Sequence, residues 1–132
     1  MLGQPINLLS WNVRGLNCPN RRATVHETIA ATSCHLACLQ ETKLEVLDQF
    51  TASFLGGARL KSFAHRPALG TRGGFLLLWD DDVVAVSDIV LSVYCLSATV
   101  LIRESGVSFK ITVVYGPTAS SCKNAFFAEL LA

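Results

Sequence analysis

The chain has 132 residues and a net charge of +1; 51% of its residues are hydrophobic and 16% charged. That length holds one domain or part of one, and the near-neutral charge excludes a global electrostatic signature for a nucleic acid or a membrane surface. Charged residues fall below the roughly 25% of ordinary soluble domains, and mean hydropathy is +0.42. These values point to a strand-rich buried core or a piece of a larger unit.

A membrane span is not expected. The longest apolar window, Val90 to Ile102, contains Ser92 and Ser97 and is well short of the ~18–20 residues needed to cross a bilayer. The opening MLGQPI carries no basic region of a secretory leader. The five cysteines form an odd set, and Cys34, Cys38 and Cys95 sit among apolar neighbours. They read as buried free thiols in a reducing, intracellular compartment.

In chain order, Ile6–Trp11 predicts a short strand that is apolar on both sides, as for a central strand. Pro19 suits the first turn of a following helix, with Val25 and Ile29 as its buried stripe. Leu36–Leu39 predicts a second strand, ended by Gln40-Glu41-Thr42. Strand, helix, strand over this span is a crossover unit with parallel strands. It brings Asn12 and Glu41 to the same sheet edge, where open sheets place their sites.

Leu44, Leu47, Phe50 and Phe54 recur at helical spacing, and Gly56-Gly57 stops that helix. The period then changes to two. Gly74–Trp79 and Val83–Val90 predict a hairpin turning at Asp80-Asp81-Asp82. Tyr94–Arg103 and Val107–Tyr115 predict another, turning at Glu104-Ser105-Gly106. In its last strand Val107, Phe109, Ile111, Val113 and Tyr115 share the inward face. A final helix is expected from Ser120 or Ser121, carrying Phe126, Phe127, Leu130 and Leu131; the stop at Ala132 directly after Leu-Leu reads as a cut.

Three predicted strand ends carry polar groups: Trp11-Asn12, Gln40-Glu41 and the VYGP run ending at Pro117. Magnesium prefers oxygen ligands and is often held by one or two carboxylates plus water and phosphate oxygens. Glu41 suits that role, with Asn12 as a neutral oxygen donor beside it. The Tyr115 hydroxyl suits donation to a phosphoryl oxygen as charge develops there. Taken singly, each has an ordinary reading: a turn amide, an acid opening a helix, a rim aromatic. Their common position at strand ends favours the chemical one. Asp80–Asp82 reads as a solvated turn rather than a metal cluster.

LLSWNVRGLN, LACLQETKL, GTRGGFLLLWDDDV and KITVVYGP, in this order, resemble the first half of the endonuclease/exonuclease/phosphatase superfamily. The nearest resemblance is to the endonuclease domain of plant LINE-type retrotransposons. It implies an α/β fold: an incomplete two-sheet sandwich of the DNase I-like type, with a mixed sheet and flanking helices, truncated at its C-terminus. It also implies hydrolysis of DNA phosphodiester bonds with Mg²⁺ or Mn²⁺. By motif, Asn12 matches the active-site amide, Glu41 the metal-binding glutamate and Tyr115 the phosphate-contacting tyrosine.

The family's later Asp-x-Asn and Ser-Asp-His motifs do not occur in these residues. Of the histidines, His26 is expected on a helix, His35 just ahead of a strand and His65 in a loop, each with a surface or structural role. The expected reading is a LINE endonuclease remnant, inactive alone, intracellular, and nuclear when functional. The alternatives are half of a split metal-dependent nuclease or phosphatase, or a non-catalytic DNA-binding module using Arg14, Lys43 and Arg72. An uncovered sheet face is expected to promote self-association.

Overall fold

The structure is a computed structural model that describes residues 6–69, 73–92 and 94–114. Seven strands and two helices follow in the order β1 (Leu8–Asn12), α1 (Pro19–Ala31), β2 (Leu36–Gln40), α2 (Gln49–Gly56), β3 (Ser62–Arg66), β4 (Phe75–Trp79), β5 (Val84–Leu91), β6 (Cys95–Ile102) and β7 (Ser108–Val114). The strands form a mixed sheet in the order β1-β2-β4-β3 and an antiparallel sheet in the order β5-β6-β7. This is the two-sheet α/β architecture with flanking helices that the motifs imply.

The centre of the mixed sheet is β2 and β4. LACL in β2 and FLLLW in β4 are buried throughout, because each strand has an apolar layer on both faces. On one face Ala37, Leu39, Leu76 and Leu78 pack with Val25 and Ile29 of α1 and Leu55 of α2. On the other, Leu36, Cys38, Phe75, Leu77 and Trp79 meet Val84, Leu96, Ala98, Val100 and Val113 of the second sheet. Each fully buried Val, Leu, Ile or Phe among them stabilises by roughly 1.5–3 kcal/mol relative to exposure. Burial also pushes the Cys38 thiol up to about 12, so this cysteine acts as a small hydrophobe.

Pro19 occupies the first turn of α1 as expected, and Val25 and Ile29 are its buried residues. The guanidinium of Arg59 closes its far end, donating to the carbonyls of Cys34 (2.7 Å), Thr32 (2.9 Å) and Ile29 (3.2 Å). His26 joins the helices by stacking on Phe54, with ring centroids 4.5 Å apart.

Four expectations are corrected. First, β1 is an edge strand among the described residues. Only its Leu9 and Trp11 side packs on the helical core, while Leu8 is 52% exposed. Second, the helix after β2 begins only at Gln49, because the Asp48 carboxylate caps it by accepting from Thr51 N at 2.7 Å. Its buried residues are Ala52, Leu55 and Gly56, whereas Phe50 is 82% exposed. Third, β4 and β5 form no hairpin. Both edges of β4 are already taken by β2 and β3, so the turn at Asp80–Asp82 sends β5 into the other sheet. Fourth, His65 lies on β3, not in a loop.

The expected β6–β7 hairpin is found, paired from Cys95 opposite Val114 to Leu101 opposite Ser108. The inward row is buried at Val113 and opens progressively through Phe109 to Val107. The expected final helix lies outside the described residues.

Candidate functional site

β1 and β2 run parallel and in register, with Asn12 opposite Gln40. Paired residues of parallel strands share a face, so both point toward the second-sheet side of the rim. There Gln40 Nε2 donates to Ser10 Oγ at 3.0 Å. Glu41 is the next residue after Gln40, which puts the expected amide and carboxylate on one rim.

Backbone hydrogen bonds continue beyond the strand ends. Val13 N donates to Gln40 O (3.0 Å), Gly15 N to Glu41 O (2.7 Å) and Leu16 N to Thr42 O (2.8 Å). From the other side, Thr42 N donates to Gly74 O (3.2 Å) and Lys43 N to Gly73 O (2.9 Å). The 40–43 segment is thus clamped between residues 13–16 and the two glycines that precede β4. Asn17 Nδ2 adds a bond to Lys43 O at 2.9 Å.

The clamp holds unusual backbone. Arg14, Glu41 and Lys43 have φ of 55°, 55° and 56°, a left-handed conformation that costs a non-glycine residue of order 1–3 kcal/mol. Asn12 supports the first of these, its Oδ1 accepting from Arg14 N at 3.1 Å. Beneath the rim lies Thr42, the one fully buried polar side chain among the described residues.

The Glu41 carboxylate is half-buried and has no hydrogen-bond or ion-pair partner among the described residues. Neither Arg14 nor Lys43 pairs with it; the one ion pair among those residues is Arg103–Asp81, 3.2 Å, at the opposite end of the sheet. No three His, Cys, Asp or Glu side chains among the described residues converge on a metal-sized site. For a cation here the candidate ligands would be the Glu41 carboxylate and the Asn12 amide oxygen, which already accepts from Arg14 N, completed by water and phosphate. That set fits Mg²⁺, which keeps several waters, better than a metal needing an all-protein cage.

Two further residues shape the rim. Arg66, at the end of β3, donates Nε to Ser92 O at 3.1 Å, tying it to the start of the β6–β7 unit. His65 is half-buried with Nε2 unpartnered. Desolvation holds its imidazole below the usual histidine range, against the Leu44 backbone, which pulls the other way. Cys18 holds the N-cap position of α1 just past the rim loop, and backbone N–H groups of Arg21 and Asn20 lower its thiol.

The model of the Endonuclease/Exonuclease/phosphatase family matches residues 9–131. The chain belongs to that family. Two solved structures share the fold of this endonuclease/exonuclease/phosphatase chain. One is the AP endonuclease LMAP from Leishmania major, with a TM-score of 0.65 and 17% identity over 85% of this chain and 40% of that one. The other is the human Nocturnin catalytic domain with bound sulfate anion, with a TM-score of 0.64 and 17% identity over 96% of this chain and 58% of that one. The chain thus spans less than two-thirds of either. No curated protein matches it.

In this family member the topology brings Asn12, Arg14, Glu41 and Lys43 to one rim. Arg72 and Tyr115 lie outside the described residues; Val114, the last described residue of β7, pairs with Cys95 three residues after Ser92. Sequence reasoning placed Gln40 at the strand end but missed Thr42, Arg66 and Gly74 as parts of the rim. For Gly74 the signal was there, in the paired glycines directly ahead of an apolar strand.

Proposed function

We propose that the chain carries the amide-and-carboxylate part of a metal-dependent phosphodiester hydrolase derived from a plant LINE-type retrotransposon endonuclease domain. The observation that supports it most is the pairing of Asn12 with Gln40 directly before Glu41, whose carboxylate has no partner among the described residues. Asn12 orients a phosphate oxygen or water without adding charge. Arg14 and Lys43 neutralise flanking phosphates of a DNA strand, with Arg72 in the same role, and Tyr115 donates to the phosphoryl group. A bound Mg²⁺ or Mn²⁺ supplies charge stabilisation at the reacting oxygens.

These residues constitute a partial domain that does not cleave DNA by itself. They include no Asp-x-Asn or Ser-Asp-His, and general acid–base help alone is worth ~10²–10⁴-fold in rate. Binding without cleavage is the expected behaviour. The LINE reading rests on the order of the sequence motifs and would place the functional protein in the nucleus. Leu8 of β1 and Phe109 of the inward row of β7, both partly exposed among the described residues, support self-association through the inner sheet surface.

The test pairs DNA binding with plasmid nicking. Duplex binding should weaken steeply with salt and fall severalfold in Arg14→Ala and Lys43→Ala. In Mg²⁺ the chain should not nick supercoiled plasmid above an Asn12→Ala, Glu41→Ala control. Nicking that this double change abolishes would overturn the claim of inactivity, and salt-insensitive binding would remove the DNA reading.

A further inference from the structure

We propose that Thr42 and Gly74 form a latch that sets the backbone of Glu41 and so presents its carboxylate, making Thr42 a positioning residue. The inference rests on the reading of Glu41 as a metal ligand. Gly74 lies against Thr42 so closely that a Cβ there would overlap the Thr42 hydroxyl and crowd Lys43 N at 3.3 Å. Its φ of +93° independently favours glycine. Thr42 is fully buried, so its side chain cannot yield toward solvent. Its Oγ1 faces Leu44 N at 3.4 Å, within its own loop.

The consequence reaches Glu41 through the backbone. Thr42 N and Lys43 N donate to Gly74 O and Gly73 O, while Glu41 O accepts from Gly15 N. Glu41 and Lys43, on either side of Thr42, are both left-handed, and such residues persist only where their surroundings over-determine them. Displacing Thr42 would release both constraints and let the carboxylate swing. A partner that orients a metal ligand in this way typically matters by about 10–100-fold in metal affinity.

Two readouts on the full 132-residue chain test this: Mn²⁺ affinity by electron paramagnetic resonance, and backbone amide exchange by NMR. Thr42→Val keeps the shape but replaces the hydroxyl that nests on Gly74, and should weaken Mn²⁺ binding by about tenfold. It should speed exchange at the amides of Gly15, position 42 and Lys43 by about tenfold while Leu36–Leu39 stay protected. Thr42→Ser, which keeps Oγ1, should match the parent in both. Gly74→Ala should behave like Thr42→Val or worse, and adding Thr42→Ala, which makes room for the new methyl, should recover part of the loss.

Unchanged exchange at Gly15 and Lys43 in Thr42→Val would overturn the latch, with or without metal. Glu41→Gln separates the two ideas. If it leaves Mn²⁺ affinity unchanged, the ligand reading fails, and the latch to the carboxylate with it. If it lowers affinity while Thr42→Val does not, only the latch fails.

Discussion

The two ends of the mixed sheet carry similar chemistry on very different backbones. At one end Asp80, Asp81 and Asp82 fill a turn whose geometry is ordinary: Val83 N and Val84 N each donate to Asp80 O at 3.0 Å, and Asp82 N donates to Asp80 Oδ1. One of its carboxylates is paired with Arg103. At the other end Glu41, unpaired among the described residues, sits on left-handed backbone clamped from both sides. Carboxylate count favours the first end, and backbone construction favours the second. An acid that needs a costly conformation and two supporting segments is one whose direction matters, whereas three acids in a relaxed turn need only water.

The largest expected effect contrasts two glycines. Gly74→Ala should destabilise by roughly 2–5 kcal/mol, since overlap with Thr42 adds to an unfavourable φ. Gly106, in the β6–β7 turn, has a similar φ of +74° but open space around it; its change to Ala should cost about 1–2 kcal/mol. Denaturant melts of both variants check the contrast, and equal costs would break it.

A smaller effect is expected with pH. The unfolded His65 titrates near 6.5, while its folded value is lowered. Between the two the unfolded chain binds more protons, so stability is fully present above the unfolded value and is lost as pH falls below it. Melting temperatures from pH 7.5 to 5 should drop, and His65→Gln should flatten that drop. A slope unchanged in the variant would show that the imidazole is not the sensor. The smallest effect belongs to the opposite end: Arg103→Ala should cost only ~0.2–1 kcal/mol, because its pair with Asp81 is solvent-exposed, and chemical denaturation should barely resolve it.

Legibility followed the strength of local pattern. α1 was readable from Pro19, Val25 and Ile29, and the β6–β7 hairpin from alternation around Glu104-Ser105-Gly106. β3 was missed because Ser62–Arg66 is half-buried along its whole length and mixes His and Arg with Phe and Ala. α2 was drawn too long because Leu44 and Leu47 do pack on the core, but from the loop that leaves the rim. Their spacing imitates a helix, and Asp48 starts the real one.

Local sequence alone determined the membership of the apolar strands, the parallel β1–β2 unit and hence the meeting of Asn12 with the segment bearing Glu41, because period and crossover length limit how such pieces pack. Only the tertiary structure decided where β5 goes, since that depends on β3 occupying the free edge of β4. It also decided that Gly73 and Gly74, some thirty residues after Glu41, close the clamp around it. Hydrogen bonds and steric contacts between segments so far apart leave no trace in the periodicity of either one.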